Sequence, residues 1–157
     1  MKIKLLAIGK TDDKNLQTLI DTYQNRLKHY VSFKLEVIPD IKNVKNLSEQ
    51  QQKEKEGELI LKKLEATDQL ILLDEKGKEL RSIEFSKYLQ KKMNAGIKQL
   101  VLVIGGPYGF SDTVYQKAQG KVSLSKMTFS HQMIRLFITE QLYRAFTILK
   151  NEPYHHE

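Results

Sequence analysis

The feature that most constrains this chain is an unbroken apolar run, residues 100–104 (LVLVI), that ends abruptly in glycine and proline. Because three of its five residues are β-branched, the run is typical of a strand buried on both faces, as in a parallel sheet between helix layers. It stops at residues 105–109 (GGPYG), which cannot extend a strand or a helix but let the backbone approach a ligand closely. We therefore expect a buried strand with a ligand loop at its carboxyl end.

A second strand and loop follow this one along the chain. Ser111 is a candidate cap for a helix that begins at Asp112, and the helix leads to a short strand at residues 122–125 and a loop at residues 126–129. Open α/β sheets place their ligands beside loops at the carboxyl ends of strands. The two loops together are therefore the predicted binding site.

Strands and helices alternate along the rest of the chain, which predicts an α/β fold with a mostly parallel sheet between helix layers. Further strands are predicted at residues 3–8, 33–38 and 69–73, with a turn at residues 74–77. Predicted helices begin after Asp12 or Asp13, Ser48, Ser82 and about Ser130. No linker or repeat divides the sequence, so we expect a single domain over residues 1–157.

The charge balance favours a polyanionic partner. Lys and Arg number 26 against 19 Asp and Glu, a formal net charge of +7, which makes nucleic acid the first candidate. A solvated basic surface without such a partner is the alternative.

Composition also limits the chemistry and the location that we expect. Zero cysteines exclude disulfides, thiolate catalysis and cysteine-ligated metals, and the histidines are too scattered to predict a metal site. The amino-terminal apolar run is too short for a signal peptide, and no segment approaches the ~18 apolar residues of a membrane span. We expect a soluble, cytoplasmic protein without a metal or a membrane partner.

The last predicted helix, residues 130–150, carries apolar residues on more than one face. Such a helix is buried on several sides, which one sheet of this size does not provide, so we predict a two-fold homodimer. A central helix in a monomer core is the alternative. Arg135 in this helix needs a partner if it is buried; a salt bridge to Glu140 across the dimer and contact with a phosphate are equally compatible with the sequence.

Several separate motifs follow one another in an order that resembles a known family. They are residues 104–109 (IGGPYG), 124–135 (LSKMTFSHQMIR), 140–146 (EQLYRAF) and 153–155 (PYH), together with residues 1–3, 9–10 and 55–57 in the amino-terminal half. These motifs closely resemble the RlmH family, which are bacterial SPOUT-class methyltransferases acting on a pseudouridine of large-subunit ribosomal RNA.

The resemblance implies an α/β sheet whose carboxyl-terminal part is threaded into a deep trefoil knot. It also implies a homodimer that uses S-adenosylmethionine to make N3-methylpseudouridine in 23S rRNA on the assembled ribosome. The matching positions imply that the cofactor contacts, largely through backbone groups, Leu73, Gly105, Leu124, Ser125, Lys126, Met127, Thr128 and Phe129.

Catalysis by this family would require positioning of the methyl donor and removal of the N3 proton. The candidate catalytic residues are His131, Arg135, Tyr154 and His155. A histidine is well suited as the base because its pKa lies near neutrality, and the tail carrying Tyr154 and His155 is expected to reach the partner's cofactor site. A disordered tail is the alternative for the end of a chain.

Two other functions are compatible with the same sequence. One is a non-catalytic RNA- or ribosome-binding dimer that keeps the fold and the charge, and the other is a flavodoxin-like nucleotide-binding module. Lysines such as Lys10, Lys126 and Lys150 are candidates for contacts with RNA phosphates.

Overall fold

The computed structural model describes residues 1–156 as a parallel β-sheet between two layers of helices. Within these residues, five strands lie in the order β2-β1-β4-β3-β5, and every adjacent pair is parallel. The strands are β1 Lys2–Ile8, β2 Ser32–Ile38, β3 Asp68–Glu79, β4 Gln99–Ile104 and β5 Gly120–Ser123. The helices are α1 Lys14–Leu27, α2 Glu49–Leu61, α3 Ser82–Asn94, α4 Asp112–Lys117 and α5 His131–Leu149, with a 3-10 turn at Val44–Asn46. The predicted α/β class, a parallel sheet between helix layers, is confirmed, and the trefoil knot stays a prediction.

The central strand β4 separates two hydrophobic cores because successive side chains point to opposite faces. Leu100, Leu102 and Ile104 belong to the core that packs against α1, α3 and α5. Val101 and Val103 belong to the core under α2 and α4. Burial on both faces explains why residues 100–104 of this strand are all apolar.

Most of the predicted helix starts are confirmed. The Asp13 carboxylate accepts a hydrogen bond from the Leu16 N–H at 2.9 Å, and Ser48 forms a capping box with Gln51 at the start of α2. The Ser130 hydroxyl accepts from the Met133 N–H at 3.2 Å, so serine begins α5 as expected.

One helix start and one cap differ from the prediction, although α4 begins at Asp112 as expected. Ser82 is the first residue of α3 rather than its cap, because the Glu84 carboxylate accepts from the Arg81 N–H at 2.8 Å and sets the start one residue earlier. Ser111 occupies the N-cap position of α4 but makes no capping hydrogen bond. Its hydroxyl lies instead 2.9 Å from the Thr113 hydroxyl.

The turn predicted at residues 74–77 is wrong in that β3 does not end at Leu73. The strand pairs with β5 through Leu73, becomes irregular, and pairs again through Lys78 opposite Val122. A Cβ at Gly77 would lie 2.6 Å from the Val122 backbone, so only glycine permits this approach. The polar and glycine residues therefore mark a bulge rather than a chain reversal.

The last short strand is also displaced from its predicted position. β5 spans Gly120–Ser123 rather than residues 122–125, which places Leu124 and Ser125 in the following loop. Among residues 1–156, none of the helices combines the length and the apolar character needed to cross a membrane.

Candidate active site

A cavity of about 440 Å³ lies at the carboxyl edge of the sheet. The bulge of β3 and the ends of β4 and β5 meet there because all three strands run in the same direction. Both predicted loops contribute to its wall. Of the residues proposed to bind a cofactor, the cavity is lined by Leu73, Gly105, Leu124, Ser125, Met127, Thr128 and Phe129.

The first wall of the cavity is a tight turn after β4. The Gly109 N–H donates to the Gly106 carbonyl at 3.1 Å, and Gly109 has a φ of +80°, a value that strongly favours glycine. A Cβ on Gly106 would collide with the Glu56 carboxylate, so any other residue here would require that carboxylate to move. The two glycines allow the turn to close directly over the end of the strand.

The second wall is the loop between β5 and α5. The Ser123 hydroxyl donates to the Ser125 carbonyl at 2.8 Å, and the Ser125 hydroxyl accepts from the Met127 N–H at 2.9 Å. These bonds hold the loop against the cavity. Lys126 is the exception among the proposed cofactor residues, because its exposed side chain extends to the Glu79 carboxylate 3.8 Å away and does not line the cavity.

The bulge of β3 supplies a third wall that sequence reasoning missed. Asp74, Glu75 and Lys76 all line the cavity. Asp74 accepts hydrogen bonds from the Lys76 N–H at 2.8 Å and from the Tyr115 hydroxyl at 2.5 Å. Burial, together with this bond to a carboxylate, raises the pKa of Tyr115 well above its usual range. The available signal was the position of two acidic residues immediately after a buried strand.

His131 is the one proposed catalytic residue that lines the cavity. It is the first residue of α5 and is partly exposed. Partial burial lowers the pKa of His131, as does the positive charge of Arg135, while a hydrogen bond with the Gly105 backbone opposes both effects. The neutral imidazole is therefore favoured at pH 7, where it can accept a proton.

Arg135 lies one turn further along α5 and is only 1% exposed. Its guanidinium donates to the Ile8 carbonyl at 2.7 Å and to the Thr11 hydroxyl at 3.1 Å. These contacts tie the start of α5 to the end of β1. Within the chain Arg135 does not pair with Glu140, which forms a salt bridge with Arg144 instead. A salt bridge across a dimer and a phosphate contact both stay predictions.

Tyr154 and His155 do not line the cavity of their own chain. The Tyr154 hydroxyl donates to Glu140 at 2.9 Å, and the His155 Nδ1 lies 3.3 Å from the Arg144 guanidinium. The tail therefore packs along α5 of its own chain. Glu140 also lines a second groove of about 320 Å³, which shares Ser125 and Phe129 with the first cavity.

Comparison with known sequences decides the family. The sequence model of a family described as "Predicted SPOUT methyltransferase" matches residues 1–155. This chain belongs to the SPOUT methyltransferase family. The parallel sheet and its flanking helices are accordingly the SPOUT fold, and the cavity of this SPOUT methyltransferase lies where the predicted site was expected.

The most similar curated relatives that we compared carry one name, "Ribosomal RNA large subunit methyltransferase H". The protein from Flavobacterium johnsoniae is 76% identical to this SPOUT methyltransferase over 157 residues, which is 100% of both chains. The protein from Christiangramia forsetii is 65% identical over 156 residues, 99% of both chains. The protein from Bacteroides thetaiotaomicron is 59% identical over 157 residues, 100% of both chains.

Among solved structures, the SPOUT methyltransferase aligns with "a probable methylase family protein from Haemophilus influenzae Rd KW20" with a TM-score of 0.48 and 14% identity. The alignment covers 95% of this chain and 66% of that chain. At this distance the likeness carries no argument about function. Among the described residues there is also no cluster of three or more His, Cys, Asp or Glu side chains suited to a metal ion.

Proposed function

We propose that this protein is a cytoplasmic, S-adenosylmethionine-dependent methyltransferase that methylates N3 of a pseudouridine in 23S rRNA on the assembled ribosome. The observation that carries the proposal is 76% identity over the full length of both chains to a protein named "Ribosomal RNA large subunit methyltransferase H". The net charge of +7 supports a polyanionic substrate.

The cavity fits a cofactor of this chemistry. Its volume of about 440 Å³ lies within the range of about 300–1,000 Å³ that is usual for small-molecule sites. Apolar side chains such as Leu73 and Ile104 suit an adenine ring, and the carboxylates of Asp74 and Glu75 suit a positively charged sulfonium. The cofactor would be held by Leu73, Gly105, Leu124, Ser125, Met127, Thr128 and Phe129. Lys126 would contact RNA phosphates instead.

S-adenosylmethionine supplies an electrophilic methyl group when it is bound. The protein's task is then to place the base and to remove the proton from its N3. We assign proton removal to His131, because its side chain lines the cavity and its lowered pKa favours the neutral imidazole.

Arg135 contributes to this step through His131 and does not line the cavity. Its buried charge lowers the pKa of the imidazole, and its bonds to Ile8 and Thr11 fix the helix turn that carries His131. Arg135 is therefore a positioning residue.

We further propose that the active enzyme is a homodimer in which Tyr154 and His155 of one protomer help to orient the base at the partner's cavity. Met127 and Phe129 line the cavity, Met133 lies on the first turn of α5, and all three are exposed. Apolar residues in this position favour a partner surface. The tail is also ordered along α5 up to His155, so it would be carried to any interface that α5 forms.

The test is transfer of a labelled methyl group from S-adenosylmethionine to ribosomes that lack the modification. Intact ribosomes, free large subunits and naked 23S rRNA are compared, and the methylated nucleoside is identified by mass spectrometry. We expect label on pseudouridine with intact ribosomes only. Transfer to another nucleotide would contradict the proposed position. A protein that binds ribosomes but neither S-adenosylmethionine nor label would be a non-catalytic binding protein.

A further inference from the structure

Tyr108 stands at the tip of the glycine turn beside the cavity. Pro107 precedes it and has a fixed φ, and the Gly109 N–H to Gly106 carbonyl bond closes the turn around it. The backbone that carries the Tyr108 ring is therefore held in place before any ligand arrives. The residue is nevertheless 44% exposed, although it lines the cavity.

The other aromatic residues lining this cavity already have partners. Phe110 packs edge-on against Tyr115 with ring centroids 5.8 Å apart, and the Tyr115 hydroxyl donates to Asp74. Phe129 packs edge-on against Phe137 at 4.9 Å. Within residues 1–156, Tyr108 has no such aromatic, cation–π or side-chain hydrogen-bonding partner. A rigidly displayed, unpaired ring at the mouth of a cavity is suited to stacking on a flat ligand.

The chemistry of the proposed function indicates which flat ligand this is. N3 of a pseudouridine lies on the pairing edge of the base, so an enzyme reaches it only when the base is unpaired and turned out of its stack. Proteins hold such bases by stacking them on aromatic side chains. A ring at the exposed mouth meets the incoming base, whereas the buried ends of the strands form the floor of the cavity.

We propose that Tyr108 is the stacking platform for the extruded target base, and thus a substrate-positioning residue. The ring carries this role, not the hydroxyl, because stacking uses the π-face. The inference rests on the proposed function, since it names the group that holds the substrate of that same reaction. In this arrangement the cofactor binds at the floor of the cavity and against its two loops, and the target base binds at the mouth of the cavity.

The experiment compares Tyr108→Phe, Tyr108→Leu and Tyr108→Ala with the unaltered full-length protein. Initial rates of methyl transfer to ribosomes lacking the modification give kcat/KM for the ribosome. The dissociation constant for S-adenosylmethionine is measured without ribosomes by equilibrium dialysis. We expect Tyr108→Leu and Tyr108→Ala to lower kcat/KM about tenfold. Tyr108→Phe should retain most of the kcat/KM of the unaltered protein. The affinity for S-adenosylmethionine should be unchanged in all three variants. Val44→Ala, another exposed apolar position outside the cavity lining, is the matched control.

A Tyr108→Leu enzyme as efficient as Tyr108→Phe would overturn the stacking role. Weaker S-adenosylmethionine binding in Tyr108→Leu, to the same degree as its loss of activity, would move Tyr108 to the cofactor and equally overturn the proposal. Equilibrium binding of a labelled single-stranded oligouridine is a second arm that needs no methyl transfer. Tyr108→Leu should bind the oligouridine more weakly than Tyr108→Phe does, and equal dissociation constants for the two variants would contradict the proposal.

If the unaltered protein transfers no methyl group to any ribosomal particle, the proposed function fails, and the proposal for the target base fails with it. The oligouridine arm then separates the two failures. A retained difference between Tyr108→Phe and Tyr108→Leu would show that the ring binds nucleobases although the reaction was wrongly assigned.

Discussion

Gly106 and Glu56 show how a single missing side chain shapes the candidate site. Glu56 comes from α2, is 3% exposed, and has one carboxylate oxygen without a partner and the other bonded to Gln52 at 2.9 Å. Burial raises the pKa of Glu56 above its ordinary value. The carboxyl group occupies the space that any side chain at residue 106 would need. The shape of the turn is therefore set by a residue fifty positions away (106 − 56).

Replacing Gly106 with alanine should destabilise the fold. The new Cβ would lie 2.0 Å from the Glu56 carboxylate, and overpacking of this kind costs about 1–3 kcal/mol. Chemical denaturation of Gly106→Ala, Glu56→Ala and the double variant measures the effect. The double variant should lose less stability than the sum of the single variants, because Glu56→Ala removes the collision. Strictly additive losses would contradict a direct clash.

His131 should titrate below the pKa of an ordinary histidine. Its lowered pKa means that the imidazole is neutral at pH 7 and becomes protonated only under more acidic conditions, where methyl transfer should decline. Arg135→Gln removes a nearby positive charge, so it should raise the pKa of His131 and shift the decline to higher pH. NMR titration, assigned with His131→Gln, measures the pKa directly. Arg135→Lys keeps the charge and is the control; an equal shift in both variants would contradict the electrostatic cause.

At the scale of elements, α5 links the cavity to the carboxyl-terminal tail. Its first residue, His131, lines the cavity, and its middle, at Glu140 and Arg144, holds the tail. The Tyr154 ring packs edge-on against Tyr143 with centroids 4.7 Å apart. Packing and hydrogen bonds of this kind oppose the fraying that is usual at the end of a chain.

Removing the Tyr154 hydroxyl should loosen the tail without unfolding the protein. Tyr154→Phe loses the bond to Glu140 but keeps the ring contacts, so we expect a cost of about 0.5–1.5 kcal/mol. Tyr154→Ala also loses the aromatic packing and should cost more. Denaturant unfolding measures both, and digestion by a carboxypeptidase reports the release of the tail. A tail cleaved equally fast in all three proteins would show that Tyr154 does not anchor it.

At the scale of the whole molecule, the parallel sheet brings distant segments to one edge. The cavity combines the bulge of β3 and the ends of β4 and β5 with the start of α5. The exposed apolar residues Met127, Phe129 and Met133 lie next to this edge. These residues are the surface that the proposed homodimer would cover.

A charge in this patch should separate the proposed homodimer. Met133 is 36% exposed on α5, and Met133→Glu would bury an unpaired carboxylate in an apolar interface, which is costly. Sedimentation equilibrium should give twice the chain mass of 18.3 kDa for the unaltered protein and the single mass for Met133→Glu. The control is Val44→Glu, at an exposed apolar residue outside α5. A monomeric unaltered protein would contradict the dimer.

The sequence by itself determined the strand at residues 100–104, the glycine loop after it, and the alternation of strands and helices that gives an α/β fold. These features depend on local burial patterns and on backbone freedom. It also predicted most of the residues that line the cavity. Only the tertiary structure decided that β3 bulges instead of turning, that Arg135 bonds Ile8 rather than Glu140, and that Glu56 fills the space beside Gly106. Those outcomes depend on contacts between residues far apart in the chain, which periodicity and spacing do not encode.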